Sequence, residues 1–127
     1  MSAWRREALN HLPEFRQIID ISESPMALWI DLNFEFERAV ACNDVNLQSR
    51  ILKFATWCVS DASGRLPNNT STAAAVAFYE HLPGRRENWQ HFRRWLSYQE
   101  FQSLLSLFAY HLSADELAEL KQSYVRS

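Results

Sequence analysis

Apolar residues recur along this chain at steps of three and four, the spacing of one helix face, and no pair of alternating β-branched runs competes with that pattern. Ser2 is placed to cap a first helix running to about His11, and Pro13 opens a continuation whose apolar face is Phe15, Ile18 and Ile19. Ser24-Pro25 is a stronger start, with Ser as the cap and Pro at the first helical position. Leu28, Trp29, Leu32, Phe36, Ala39 and Val40 follow it as one stripe. Asn43 or Asp44 caps the next helix, which keeps the same period through Leu47, Ile51, Phe54, Ala55, Cys58, Val59 and Ala62.

Residues 63–69 break the period and predict a loop, with Gly64 as the left-handed residue that ends the preceding helix. A helix resumes near Thr70 or Ser71 and ends at Leu82, before Pro83-Gly84. Its run of alanines predicts close approach to neighbouring helices, and so a central, buried position. Residues 87–95 read as a short amphipathic helix carrying Trp89, Phe92 and Trp95. Ser97 with Glu100, and Ser113 with Glu116, have capping-box spacing. The first opens a helix through Phe101, Leu104, Leu105, Phe108 and Leu112; the second opens one through Leu117, Leu120 and Tyr124. The pattern predicts an all-α fold: one domain, residues 1–127, of six or seven helices, as a bundle or a short stack of helix pairs.

Composition narrows the function classes. At 127 residues with 47% apolar content, the chain can bury a core without staples. Two glycines leave little room for phosphate-binding loops, and no nucleophile elbow, dinucleotide fingerprint or zinc spacing is present. A net charge of -2 removes the bulk electrostatic case for nucleic acid or an anionic membrane as main partner. The apolar runs are too short to span a bilayer. Cys42 and Cys58 read as reduced, buried thiols. With no signal-peptide pattern at the N-terminus, they point to a cytoplasmic protein.

Charge is segregated within that balance. Residues 20–44 hold six carboxylates against Arg38 alone. Asp31 and Glu35, four apart, are expected on one helix face opposite Leu28, Leu32 and Phe36, with Glu37 nearby. Such a pair suits acid–base work or a metal. The plainer reading is a solvated face on which Arg38 pairs with Glu35, and between the two lies an acidic surface for a protein partner. After Gly84, Arg86, Arg93 and Arg94 interleave with aromatics, as a nucleic-acid reader would require. The spacing of Trp89, Phe92 and Trp95 instead predicts one buried face with the arginines outside. His11, His81, His91 and His111 form no metal spacing, and Glu80 and His81, being adjacent, are expected to point apart. No cofactor, metal or catalytic residue is expected.

Leu12-Pro13-Glu14-Phe15 ahead of an acidic helix, the run from Phe54 to Gly64, and the Ala/Val-rich helix ending in Phe78-Tyr79-Glu80-His81-Leu82 carry a resemblance. Over about residues 12–112 the chain resembles a group of small, all-helical bacterial proteins of uncharacterised function. Proteins of that group resemble the immunity proteins that neutralise partner toxins. The resemblance marks Phe78, Glu80 and Leu82 as signature positions and assigns them no activity; residues 67–72 depart from the group's tighter loop. It implies an immunity-like binding protein; the segregated charge, read from the residues themselves, adds Asp31, Glu35, Glu37 and the exposed Arg86, Arg93 and Arg94 as the expected partner face of a non-enzymatic protein. Two alternatives stand beside it: a homo-oligomer closed by the Trp-rich face of residues 89–95, and an enzyme using Glu35 or Glu80 with a histidine in an inter-helix pocket.

Overall fold

In a computed structural model, which describes residues 2–60 and 68–126, most helix starts fall where the capping residues stand. Eight α-helices and no strand are found among the described residues. They are α1 (Ala3–His11), α2 (Arg16–Ile21), α3 (Pro25–Ala41), α4 (Val45–Val59), α5 (Asn68–Ala74), α6 (Phe92–Trp95), α7 (Tyr98–Phe108) and α8 (Ala114–Arg126). Ser24 Oγ accepts from the Ala27 amide at 3.2 Å, and Asp44 accepts from the Leu47 amide at 3.1 Å. Between α3 and α4 the backbone reverses at Asn43, whose φ of 60° is a left-handed conformation that Asn tolerates better than most residues. Both capping boxes form in full, each with its reciprocal pair of bonds at 2.9 and 3.1 Å. Ser2 differs from expectation: its hydroxyl makes no cap bond and instead accepts from Arg5. Of the loop expected at residues 63–69, residues 63–67, with Gly64 as helix terminator, lie outside the described residues, while positions 68 and 69 already belong to α5, which starts two residues ahead of the expected Thr70.

The chain divides into two compact units, residues 1–78 and 79–127. In the first, α3 packs against α4 and α5 and supplies the centre of the core. Trp29 stacks on Phe54 at 5.3 Å and lies 5.1 Å from Phe78, which meets the ring of Phe36 edge-on at the same distance. Ala8, Leu12 and Ile19 are fully buried from the α1–α2 side. Ala73 and Ala74 are equally buried, as the alanine run led us to expect. Polar ties add to this packing. Buried Gln48 donates to the Ala39 carbonyl at 3.0 Å, and Arg50 forks onto both oxygens of Glu14 at 2.7 and 2.6 Å.

The helix expected to run to Leu82 instead widens into a π-helical turn at Ala75–Tyr79 and ends in a turn before the 3-10 segment Leu82–Gly84. Adding a residue to one turn breaks the 3.6 period. Ala77, Phe78, Tyr79 and Glu80 are accordingly all buried in succession. In the second unit the predicted single helix at residues 87–95 is a 3-10 helix, Arg86–His91, followed by one turn of α6. Asn88 and the Trp89 indole hold that form by donating to the carbonyls of Leu82 and Pro83 at 3.1 and 2.8 Å. Phe101 stacks on Tyr124 at 4.1 Å, and the Tyr124 hydroxyl donates to the Leu96 carbonyl at 2.8 Å, fastening α8 by a buried bond.

Candidate functional site

α3 is apolar on two faces. Its inner stripe (Leu28, Trp29, Leu32, Phe36, Ala39) is buried, as the periodicity predicts. The face directly opposite carries Ala27, Ile30, Phe34 and Ala41, with Ile30 49% and Phe34 63% exposed. Steps of three, four and seven along these positions match the heptad seam of a helix that packs on another helix. The carboxylates expected on this outer face instead flank it. Asp31 is exposed at one edge, and no ion pair to it forms among the described residues. Glu35 is half-buried, with a side chain 20% exposed, and is gripped by Arg38 Nη1 at 3.2 and 3.3 Å. Glu37 is half-buried at the other edge, beside Asn33. Ile30 and Phe34 lie outside the expected partner face, although their step of four marks them as neighbours on one side of the helix.

Arg86, Arg93 and Arg94 are exposed, as predicted, but each is engaged within its own unit. Arg86 pairs with Glu119 of α8 at 2.7 Å and lies 4.6 Å over the Trp89 ring. Arg93 donates to the Val125 carbonyl at 3.2 Å, and Arg94 lies 3.2 Å from the His91 ring. Burial, with the Arg94 charge adding to it, holds the His91 pKa below the usual imidazole value. Arg86 and Arg93 each border a shallow groove beside α8. One, of about 580 Å³, is lined by Arg86, Trp89, Glu119 and Arg126; the other, of about 370 Å³, by Arg93, Tyr98, Tyr124 and Val125. Trp89 and Trp95 are 6% and 9% exposed, so the Trp-rich face proposed for oligomer closure is already covered.

The signature positions separate into core and polar roles. Phe78 is fully buried and Leu82 nearly so. Glu80 does not part company with His81 as adjacency suggested, because both reach His111. His111 Nε2 lies 3.3 Å from the Glu80 carboxylate, whose side chain is 10% exposed, and the His81 ring stacks on His111 at 4.8 Å. A carboxylate that fixes an imidazole is one half of a general-base arrangement. Neither α8 groove is lined by these three residues. No group of His, Cys, Asp and Glu able to hold a metal ion occurs among the described residues. No described helix is long and apolar enough to cross a membrane. Cys58 is buried and Cys42 is exposed, so only one thiol matches the buried reading.

No protein family, curated protein or solved structure matches the chain.

Proposed function

We propose that the protein is a non-enzymatic binding domain whose working surface is the outward face of α3. The observation that carries this reading is the exposure of Ile30 and Phe34 on a helix whose opposite face is already buried. Large apolar side chains presented together, with a charged rim, favour association over solvation. The partner this face fits is a helix with its own apolar stripe and at least one cation to meet Asp31. An immunity-type protein that captures a toxin through a basic helix is one form of this reading.

Titration with a basic amphipathic helical peptide, followed by amide chemical shifts, tests it. Saturable shifts confined to Ala27, Ile30, Phe34 and Ala41 are expected, together with loss of binding in Phe34→Glu and none with an acidic control peptide. Shifts spread over both units, or unchanged binding by Phe34→Glu, would overturn the reading.

A further inference from the structure

The outward face of α3 is complementary to itself, and we propose that it pairs with the α3 of a second copy of this chain in antiparallel orientation. The inference rests on the binding role given to that face and names its occupant.

The centre and the two ends of the stripe, though not Ile30, are symmetric about Phe34. Ala27 lies seven residues before it and Ala41 seven after, both on the same stripe. A two-fold axis through Phe34 therefore sets Phe34 against its copy at the centre and Ala27 against Ala41 at both ends. Small side chains at the ends let the helix axes approach there, while the central pair of rings fills the middle.

Charge follows the same symmetry. A two-fold perpendicular to an antiparallel pair brings like edges of the two helices together. Asp31 and Arg38 share one edge, three residues before and four after Phe34. Across the axis, Asp31 of one copy lies within about 1.5 Å, measured along the helix, of Arg38 of the other. Two such pairs form per dimer. Arg38 can serve both its own Glu35 and the partner carboxylate, because both bonds to Glu35 use Nη1 and the guanidinium has further donors. On the opposite edge Asn33 and Glu37 stand four apart, so the Asn33 amide of one copy faces the Glu37 carboxylate of the other. A parallel arrangement, with its two-fold along the helices, would instead bring opposite edges together, setting Asp31 of one copy against the Asn33–Glu37 edge of the other and losing the Asp31–Arg38 pairs. Interfaces of this isologous kind are the commonest in homo-oligomers.

Light scattering and sedimentation of the full chain test the pairing. The wild type is expected at twice its 14.9 kDa chain mass, and Phe34→Glu at the single mass with unchanged helical circular dichroism. Asp31→Arg should raise the dimer dissociation constant at least tenfold, because it sets a second cation against Arg38 across the axis. The double exchange Asp31→Arg with Arg38→Asp should restore the dimer. The guanidinium introduced at position 31 then meets the carboxylate introduced at position 38 of the other copy, and Glu35 along its own helix. A monomeric wild type at high concentration, a dimer indifferent to Phe34→Glu, or a double variant as weak as Asp31→Arg would each overturn the pairing. If the wild type is monomeric while the basic peptide still binds α3, self-pairing alone has failed and the binding role of the face stands.

Discussion

Cys58 lies fully inside the first unit, and burial pushes its thiol up to about 12, a shift only partly opposed by the Trp29 side chain. A thiol at that value is almost wholly protonated at pH 8, and the thiolate is the reactive form. Cys42 stands exposed at the end of α3. A thiol-reactive dye at pH 8 is therefore expected to modify one equivalent quickly in the folded protein and a second only in denaturant; two fast equivalents would contradict the burial of Cys58. Glu14 gives a residue-scale test of pH dependence. The hydrogen bonds from Arg50 hold its carboxyl below the usual carboxylate value. With a depressed folded pKa, its stabilisation is present above the unfolded value and lost as pH falls through the folded one. Its side chain is 44% exposed, so solvent screening limits the contribution to about 0.2–1 kcal/mol. Urea unfolding of Glu14→Gln should show that loss at pH 7, and the gap from wild type should close as the pH falls below about 4.

The two capping boxes and the two faces of α3 set the tests at the scale of an element. Ser97→Ala and Ser113→Ala each remove the side-chain acceptor of a formed box, and each should cost about 0.5–2 kcal/mol in urea unfolding. Phe36→Ala and Phe34→Ala lie two residues apart on α3 and should behave oppositely. Measured at protein concentrations too low for pairing, buried Phe36 is expected to cost about 3–5 kcal/mol, whereas exposed Phe34 should change the stability of the single chain by less than about 0.5 kcal/mol. Equal losses would mean that Phe34 is packed. Helix starts were legible in the sequence because Ser24, Asp44, Ser97 and Ser113 act through bonds three residues away. The inner stripe of α3 was legible for the same local reason. What escaped depended on longer reach. The 3-10 form of Arg86–His91 is held by bonds to the Leu82 and Pro83 carbonyls six residues back, outside the three- and four-residue steps of a helix face, and the π-helical turn at Ala75–Tyr79 leaves no mark in those steps. Glu80 and His81 meet only through His111, some thirty residues on in the chain. The outer stripe of α3 is hidden in the sequence for a different reason: Asp31, Glu35 and Arg38 interleave with Ile30 and Phe34, so the stretch reads as a charged face.

At the scale of the whole molecule, the near-cancelling charge of -2 gives no preference for a partner of either sign, so orientation has to come from local patterning. The antiparallel α3 pair makes a geometric statement that cross-linking can read directly. In that pair position 27 faces position 41 of the other chain, while position 27 lies about 21 Å along the axis from its own copy, as does position 41 from its copy. A disulfide needs Cα atoms within about 7 Å. In a Cys42→Ser background, Ala27→Cys alone and Ala41→Cys alone should both run as single chains on a non-reducing gel after mild oxidation. The double variant should run as a covalent dimer, released by reductant. Native Cys42 should not cross-link either, because its two copies sit about 24 Å apart along the axis. A parallel pair inverts the pattern of the variants: Ala27→Cys and Ala41→Cys would each cross-link to its own copy. A dimer in solution that gives neither pattern would place the contact on a surface other than α3.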